Sequence, residues 1–386
     1  MSNYLITGGG FNNKGAESML YTLLTELRDK EPNCKIYVLI NSKINEINKN
    51  FKNIEFISYK NKDLRRILNP FFLFFNKNQK SLIKIIKDCD IFFDISGYIL
   101  SSDWGKGAKE LLNRIKVAKK YKKKIILLPQ SFGPFNFKNK YGLTNKNLNK
   151  VLSYADLIFA REQDGLNYLK NLSLQNIEYS PDIVIQSSKQ ISGFLETAPE
   201  YSEIEIKPKS VLIIPNVRVF ERTDKEQLLL LYKNSIKHLL NNEYNVYISY
   251  YDLSDKSICN EIVDMFKDSK NVTFLEKNLD CIQFSTILNK FNFVISSRFH
   301  SIVHSYRNAI PVLAIGWAIK YKELLHLVEQ EQFMYDGINL IDTDKFLSSI
   351  DYLINNFKTE SEKIKLNVIK IQEQNCFDKV WEYLSK

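Results

Sequence analysis

The chain has 386 residues, 44% of them hydrophobic and 25% charged, which are ordinary values for a globular protein and argue against a disordered or membrane-spanning chain. This length exceeds what one hydrophobic core usually organises, so two domains are expected. Five scattered cysteines without a Cys-x-x-Cys pair argue against a disulfide framework or a zinc ribbon, and the net charge of +10 favours an anionic partner.

In the first half of the chain, short apolar segments alternate with amphipathic segments of helical period. This alternation is typical of parallel sheets that are covered by helices on both faces. The predicted strands are 4–8, 35–40, 54–58, 91–96, 124–129 and 157–161, and the predicted helices include 16–29, 79–87, 107–121 and 162–170. The stretch 187–210 is rich in turn residues and lacks a strong period, so we interpret it as a linker.

The same alternation resumes after this linker. Strands are predicted at 211–216, 245–252, 272–276, 293–297 and 311–316, and two helices are predicted within 342–385. The sequence therefore predicts an α/β fold of two Rossmann-like, doubly wound domains that face each other across a cleft. The predicted domains are 1–205 and 206–386, and the last helix is a candidate to pack back on the first domain.

The loops that follow the predicted strands carry polar residues, and ligands of open parallel sheets bind at such loops. The first one, TGGGFNNKGAES, has Asn13 where the dinucleotide fingerprint needs its third glycine, and Gly15 is not followed by the Lys-Ser/Thr of a P-loop. Its glycines permit close approach to an anion at the next helix start, and a plain tight turn explains them equally well. Further polar loops follow at 94–105, 129–135, 160–166 and 215–218.

The stretch FVISSRFHSIVHSYRNAIPVLAIGWAIK, residues 293–320, places charged groups at the rim of a buried strand. Arg298 and His300 fall at the strand-to-helix junction, where backbone N–H groups and the helix dipole favour an anion. Arg298 adds a planar fork suited to phosphate or carboxylate, and His300 can exchange a proton near neutral pH. A metal pair of His300 with His304 is an alternative, as is a core histidine that caps the helix.

Positive charge is concentrated between Gly105 and Lys150, where thirteen lysines and arginines stand against one acid, Glu110. Such a segment is either a solvated surface or an attractor for a polyanion such as nucleic acid, anionic lipid or an acidic sugar carrier. No nucleic-acid recognition motif accompanies it, so we expect no nucleic-acid partner. The first residues run directly into a strand without a secretory signal, which favours a cytoplasmic protein with the inner membrane leaflet as a candidate surface.

Taken together, these loops resemble those of the polysaccharide pyruvyl transferase family. The segment SSRFHSIVHSYRNAIPVLAIGWAIK matches that family's Ser-x-Arg-x-His run, its proline step and its following lysine, here Pro311 and Lys320. NNKGAES, PQSFGP, AREQDGL and SPDIV are similar to four further motifs of the family, and the matches span residues 8–320 in the family's order. The chain departs from the family pattern at 96–98 and at Trp317, which leaves the acceptor sugar open.

The resemblance implies two Rossmann-like domains of the GT-B kind, with the acceptor on the first and the donor on the second. It implies transfer of the enolpyruvyl unit of phosphoenolpyruvate to a sugar diol, with no metal and no cofactor. His300 would be the catalytic proton donor, and Arg298, also catalytic, would clamp the donor together with Arg161 across the cleft. The implied substrate-binding residues are Arg161, Asn13, Gly15, Gln130, Asn216, Ser301 and Lys320.

Two other functions fit the same residues. An ordinary GT-B glycosyltransferase would use the same sheet edges for a nucleotide-sugar donor, with an Arg/Lys pair on its pyrophosphate. A non-catalytic protein would use the basic segment 105–150 to bind nucleic acid or a membrane surface. Under the first interpretation the partners are phosphoenolpyruvate and a sugar acceptor, for which a lipid-linked oligosaccharide is a candidate, and the oligomeric state is left open.

Overall fold

A computed structural model describes residues 2–11, 13–41, 51–69, 71, 75–137, 143–189, 194 and 203–386. The chain forms two compact units. The first comprises residues 1–11, 19–199 and 374–386, and the second comprises residues 12–18 and 200–373. The main change of unit lies at 199/200, close to the predicted division at 205/206, and the last helix, our candidate to pack back on the first domain, belongs to the first unit. The exchange of residues 12–18 was not predicted, because a helix keeps its period whichever core covers it.

The described part of the first unit contains a sheet of seven parallel strands. These are β1 (Asn3–Thr7), β2 (Lys35–Ile40), β3 (Ile54–Ser58), β4 (Ile91–Asp94), β5 (Lys124–Gln130), β6 (Leu157–Ala160) and β7 (Ile177–Tyr179). They pair in the order β3-β2-β1-β4-β5-β6-β7. The helices are α1 (Lys14–Lys30), α2 (Asn61–Leu68), α3 (Lys77–Asp88), α4 (Gly105–Lys120), α5 (Asn145–Leu152), α6 (Gln163–Lys170) and α7 (Ile183–Gln186), and the first turn of α1 belongs to the second unit.

The described part of the second unit contains a sheet of six parallel strands. These are β8 (Ser210–Ile214), β9 (Asn245–Ser249), β10 (Val272–Leu275), β11 (Phe293–Ser296), β12 (Val312–Gly316) and β13 (Met334–Asp336), in the order β10-β9-β8-β11-β12-β13. The helices are α8 (Val217–Phe220), α9 (Lys225–Asn241), α10 (Lys256–Asp264), α11 (Cys281–Leu288), α12 (Phe299–Arg307), α13 (Ile319–Leu327) and α14 (Thr343–Glu373). The last helix of the chain, α15 (Cys376–Ser385), belongs to the first unit.

The predicted α/β fold with two parallel sheets is confirmed. The sequence did not predict β7 and β13, the last strand of each sheet. Each has three residues and is only partly buried, so neither shows an apolar run that stands out from a loop. Strands of four or more residues lie within a few positions of their predicted ranges.

Both sheets reverse their strand order beside the first strand of the unit. In the first sheet, β1 lies between β2 and β4, and in the second sheet β8 lies between β9 and β11. Loops that leave the carboxyl ends of the two strands at such a point turn to opposite faces and open a crevice, where ligands of this fold class bind. In the second unit the loops concerned follow β8 and β11, and they carry Asn216 and Arg298.

The central strands are buried along their length, with Val211 to Ile214 of β8 at 0% exposure. Helices cover both faces of a parallel sheet, so its strands are apolar throughout rather than alternating. All five cysteines are also buried, and none forms a disulfide. Burial raises the pKa of the thiols of Cys34, Cys89, Cys259 and Cys376.

Helix α14 is long but amphipathic. It has 31 residues, buries Ile350, Leu353 and Ile364, and leaves Leu366 and Ile369 exposed. Across the described ranges, no helix combines the length and the apolar character needed to cross a lipid bilayer.

Candidate active site

Asn216 holds together the two loops at the reversal point of the second sheet. Its side chain is almost fully buried, and its Oδ1 accepts a hydrogen bond from the Arg218 N–H (3.0 Å), which caps α8. Its Nδ2 donates to the Ser297 carbonyl (2.9 Å) beyond β11. One amide therefore ties the carboxyl ends of β8 and β11 and fixes the loop that carries Arg298.

The guanidinium of Arg298 is held by Asp255. Nε donates to Oδ2 (2.7 Å) and Nη2 to Oδ1 (2.5 Å) of a carboxylate that is 0% exposed. Burial acts against the charge of Arg298, but the hydrogen bonds and the charge of Asp255 outweigh it and raise the pKa of the guanidinium. Within the described part of the chain, Nη1 has no hydrogen-bond partner, so this nitrogen is the part of the fork that a ligand can use.

His300 is the second residue of α12 and is partly exposed. Its ring packs against Gly15, since a Cβ atom on Gly15 would lie 2.4 Å from Nδ1 and 2.6 Å from Cγ. The ring of Phe299 meets the imidazole edge-on, with centroids 5.4 Å apart and planes at 90°. Only glycine at position 15 lets the His300 ring come this close to the backbone, so the backbone there helps to fix the imidazole.

Asn13 caps α1 and binds Asp252 within the second unit. Its Oδ1 accepts from the Gly15 N–H (2.8 Å), and its Nδ2 donates to Asp252 Oδ2 (2.9 Å). Burial acts to raise the pKa of Asp252, but hydrogen bonds from Ser254 and Asn13 outweigh it and lower that pKa. Asn13 and Gly15, both predicted as substrate-binding, thus lie beside His300.

Lys14 and Ser18 make further contacts within the second unit. Lys14 is buried, and its Nζ donates to the carbonyls of Tyr251 (3.1 Å) and Tyr250 (3.3 Å). Burial lowers the pKa of the Lys14 ammonium group. Ser18 Oγ and His304 Nε2 lie 2.5 Å apart, so His304 binds the first turn of α1 from within α12. Residues 14 and 18 therefore hold the helix start that supports His300.

The first turns of α1 and α12 meet where Gly15 contacts His300. The start of a helix carries partial positive charge and unsatisfied N–H groups, which favour an anion. Arg298 stands at the start of α12 without making a side-chain cap, whereas Asn13 caps α1. An anionic ligand at this point would therefore face two helix starts together with the Arg298 guanidinium.

A further cation follows β12. Lys320 is the second residue of α13, and its Nζ lies 5.1 Å from the ring centroid of Phe299 and 5.4 Å from that of Trp317. The Arg222 guanidinium lies 4.6 Å from the Trp317 ring. Aromatic faces attract such cations. Lys320 and Arg222 therefore place two cations beside the Trp317 ring at this edge of the second sheet.

Ser301 lies beneath the site rather than on its surface. It is 0% exposed, its Oγ donates to the Arg298 carbonyl (2.7 Å), and it lies 2.5 Å from Ser296 Oγ. These bonds fix the turn from β11 to α12. A role of Ser301 as a substrate ligand stays a prediction.

Gln130 and Arg161 lie in the first unit, at the ends of β5 and β6. Arg161 is buried, and its Nη1 donates to Asp182 Oδ2 (2.8 Å) while its Nε donates to Ser131 Oγ (2.9 Å). Gln130 is 0% exposed, and its Oε1 has no hydrogen-bond partner among the described residues. The Arg161 N–H donates to the Gln130 carbonyl (3.1 Å), so the structure brings these two together. Their roles as substrate ligands, and a clamp of Arg161 with Arg298, stay predictions.

Arg114 belongs to the basic segment 105–150 but not to a basic surface. Its side chain is 5% exposed and binds Asp94 Oδ2 and Glu110 Oε1, each at 2.7 Å. Its cationic charge is therefore neutralised inside the first unit. Two further lysines of the segment, at 138 and 140, lie outside the described residues.

Sequence reasoning missed three residues that build the site: Lys14, Asp252 and Asp255. The letters YYDLSD after β9 offered a signal, since two acids close a strand at the edge where Arg298 was expected. Lys14 stood beside Gly15 in a motif that was already singled out. A buried lysine bound to carbonyls cannot be distinguished from an exposed one by sequence, because both occur in polar loops.

The chain resembles several solved enzymes in fold. It is similar to UDP-GlcNAc 2-epimerase from Neisseria meningitidis bound to UDP-GlcNAc, with 14% identity, a TM-score of 0.61 and 99% of each chain covered. The enzyme of that name from Methanocaldococcus jannaschii shows 13% identity and a TM-score of 0.61, covering 95% of this chain and 99% of that one. Trehalose-6-phosphate synthase shows 12% identity and a TM-score of 0.54, covering 100% and 99%. These likenesses confirm the predicted GT-B kind of fold.

Comparison of the amino-acid sequence with known protein families identifies the family of this chain. No curated protein matches the chain. The sequence pattern of the family described as polysaccharide pyruvyl transferase matches residues 13–318. That range begins at the Asn13 cap, contains Arg298 and His300, and ends just after Trp317. The chain therefore belongs to the polysaccharide pyruvyl transferase family, and it is an enzyme of the transferase class.

Proposed function

We propose that the chain transfers the pyruvyl group of phosphoenolpyruvate to two hydroxyls of one sugar and so forms a cyclic pyruvate ketal. The observation that carries the proposal is the contact of His300 with Gly15, which places a titratable ring where the first turns of α1 and α12 meet. Phosphoenolpyruvate carries a phosphate and a carboxylate, and helix starts and nearby cations stabilise such an anion. Arg298 and Lys320 supply those cations at the same sheet edge.

His300 is our candidate for the proton transfers that this reaction needs. In the first step the imidazolium gives its proton to the methylene carbon of phosphoenolpyruvate, and oxocarbenium character develops at the neighbouring carbon. The first sugar hydroxyl adds to that carbon and returns a proton to the imidazole. The phosphate then leaves with the electrons of its C–O bond, and the second hydroxyl closes the ring and gives its proton to the departing phosphate. The products are a ketal and inorganic phosphate.

Arg298 would bind the donor phosphate through Nη1, which its pairing with Asp255 holds in place. Asp255 holds Nε and Nη2, so the planar guanidinium cannot turn and its Nη1 keeps one direction. A donor that is already oriented needs no rearrangement when charge develops on the phosphate. Arg161 remains our candidate for the second arm of the donor clamp. The residues proposed to bind sugar hydroxyls, or to hold their loops, are Asn13, Gln130 and Asn216.

Release of phosphate tests the proposal directly. The chain is incubated with phosphoenolpyruvate and a panel of sugars that carry vicinal or 1,3-diols. We expect inorganic phosphate, together with a sugar product that is heavier by pyruvic acid less one water. The absence of both with every diol, in a protein that is folded and binds a nucleotide sugar, would overturn it.

A nucleotide-sugar glycosyltransferase is the second candidate, and the fold comparisons favour it specifically. One of the similar structures is bound to UDP-GlcNAc, and another contains an alpha-glucosyltransferase in complex with UDP. The cations around Arg298 and Lys320 would suit a pyrophosphate as well as they suit phosphoenolpyruvate. Calorimetric titration with phosphoenolpyruvate and with a panel of nucleotide sugars separates the two donors.

We further propose that the acceptor sugar is carried on a lipid diphosphate at the inner membrane leaflet, with the protein in the cytoplasm. Exposed lysines of the basic segment, such as Lys106, Lys119 and Lys146, support this. Near an anionic leaflet each contributes about 1 kcal/mol of attraction. Turnover of a lipid-linked sugar in vesicles should then exceed turnover of the same sugar in solution, and equal rates would assign a soluble acceptor.

A further inference from the structure

A cleft of 410 Å³ opens at the amino-terminal edge of the sheet in the first unit. Its walls are the starts of β1, β4 and β5, the end of α1 and the last turns of α15. Gln130 stands at the other end of β5, about 20 Å away for a strand of seven residues. The cleft is therefore separate from the strand ends that carry the predicted site of this unit.

Positive charge dominates the lining of this cleft. The lysines that line it are Lys30, Lys122, Lys123 and Lys124. In the described part of the chain none of them forms an ion pair with a carboxylate. Three of these lysines contact uncharged groups. Lys30 Nζ lies 6.0 Å from the centroid of an aromatic ring, and Lys124 Nζ lies 5.1 Å from another. Lys123 Nζ donates to a backbone carbonyl (2.8 Å). Four like charges around one cleft repel each other, and a bound anion would relieve that repulsion.

The two acids of the cleft do not neutralise these lysines. Glu31 accepts from the Ser2 N–H (3.0 Å) and from the Tyr4 hydroxyl (2.9 Å), and Asp90 accepts from the Asn3 N–H (2.8 Å). Both carboxylates are thus bound to the start of β1. They fix one wall of the cleft and leave the ammonium groups to a ligand from outside.

Lys122 occupies a backbone position that favours glycine. Its φ is +53°, its N–H donates to the Lys119 carbonyl (3.1 Å), and the Lys123 N–H donates to the Ala118 carbonyl (2.9 Å). This is the hydrogen-bond pattern with which helices end in a left-handed glycine. Glu243, Ala309 and Glu329 take the same conformation just after helices, so the φ alone does not indicate a function. Lys122 bears on the cleft because it is one of the lysines that line it.

We propose that this cleft binds the phosphate group of an organophosphate, with the lysines on the phosphate and with Trp381 and Leu384 against the apolar or planar part. Lysine binds phosphate as a point charge, and an indole face suits a flat or apolar group. The volume falls within the range of small-molecule sites. This chemistry has two sources, the headgroup of an anionic phospholipid and a soluble phosphate ester. The proposal does not depend on pyruvyl transfer.

Binding is measured on the full chain by tryptophan fluorescence, with Trp381→Phe to isolate the signal of the cleft. One arm titrates phosphatidylcholine vesicles that contain phosphatidylglycerol, with pure phosphatidylcholine as the blank, and the other titrates UDP. The cleft variants are Lys30→Ala and Lys122→Gly, and the matched control is Lys365→Ala, an exposed lysine on α14. Each cleft lysine removed should weaken binding about fivefold, and the control should change nothing. Lys122→Gly should melt no lower than the parent, because glycine relieves the strained φ.

Each result assigns the cleft or removes the proposal. Vesicle binding that weakens in the cleft variants identifies a lipid headgroup, and UDP binding that weakens identifies a soluble phosphate ester. If neither probe binds, or if the variants bind both as tightly as the parent, the proposal is wrong. Pyruvyl transfer to a soluble sugar should be unchanged in these variants, so a failure of this proposal can be told apart from a failure of the proposed reaction.

Discussion

At the candidate site, Nδ1 of His300 lies so close to the backbone of Gly15 that a methyl group on that residue would be 2.4 Å away. In the same loop a methyl group on Gly10 would have no atom within 4 Å. The two glycines therefore differ, since the missing side chain at Gly15 makes room for the imidazole of His300, whereas Gly10 stands in open space.

Replacement of His300 by alanine should abolish transfer while leaving the fold intact. A general acid contributes roughly 10²- to 10⁴-fold to a rate, and a loss of that size is expected in kcat. His326→Ala is the matched control, because that side chain is 78% exposed. A folded His300→Ala variant with near-normal turnover would make His300 a structural residue and place the proton donor elsewhere.

Gly15→Ala should lower turnover by displacing the imidazole, since a contact of 2.4 Å cannot be kept. The same substitution at Gly10 should leave turnover and melting temperature close to those of the parent, because its methyl group meets nothing. Steady-state rates of the two variants check this. Equal rates would mean that the position of His300 does not matter for the reaction.

The ion pair of Arg298 with Asp255 should contribute to the free energy of unfolding. Arg298→Ala should cost about 3 kcal/mol of unfolding free energy, because it leaves a fully buried carboxylate unpaired. The double variant Arg298→Ala/Asp255→Ala should recover most of that loss in denaturant titrations.

Arg298→Lys keeps the charge without the planar fork, so it should raise the half-saturating concentration of phosphoenolpyruvate and leave acceptor binding unchanged. An arginine whose loss affects only the acceptor would belong to the sugar side.

At the scale of elements, the site is an arrangement of helix starts. The Asn13 cap and Lys14 fix the first turn of α1, and this turn packs against the start of α12. The N-cap residue of helix α12, Arg298, makes no side-chain hydrogen bond to the helix start. Its N–H groups and its dipole are therefore directed towards the place where an anion is expected.

Asn13→Ala removes the cap of α1 and the bond to Asp252. We expect a loss of about 1 kcal/mol in unfolding free energy and a lower turnover, because the start of α1 supports the Gly15–His300 contact. Asn76→Ala is the matched control, since Asn76 caps α3 in the same way through the Gln79 N–H (2.9 Å). That variant should lose similar stability and keep its turnover. A parallel loss of turnover in both would trace the effect to general destabilisation.

The long elements could be predicted from sequence, and the contacts between them could not. Buried parallel strands are continuous apolar runs, so β8 and β11 were predicted within one or two residues. The strand-end position of Arg298 and His300 followed from the same pattern. Asp255 lies 43 residues before Arg298, and nothing local in the sequence pairs them. The contact of Gly15 with His300 joins segments even further apart, so only the folded chain shows it.

At the scale of the whole molecule, the chain does not divide into two continuous domains. Residues 12–18 belong to the second unit, and residues 374–386 belong to the first. The returning segment is firmly held, with Phe377 and Val380 buried and the Cys376 N–H donating to Gln186 Oε1 (2.7 Å). Residues 374–386 are thus a packed part of the first unit.

Deletion of residues 375–386 should destabilise the first unit. It removes the buried apolar side chains of Phe377 and Val380 and one of the hydrogen bonds that Gln186 Oε1 accepts, so the cost should exceed about 3 kcal/mol. Thermal unfolding should then show the first unit melting separately and earlier. Deletion of 385–386 alone, which are exposed, is the control. If the longer deletion melted like the parent, helix α15 would contribute little to the core of that unit.

The buried thiols can report the order in which the two units unfold. Cys34, Cys89 and Cys376 lie in the first unit, and Cys259 and Cys281 lie in the second. A maleimide or another thiol reagent cannot reach any of them until the unit that covers it opens. The order in which labelled cysteines appear in peptide mass spectra would therefore show which unit opens first, without a probe having to be added to the protein.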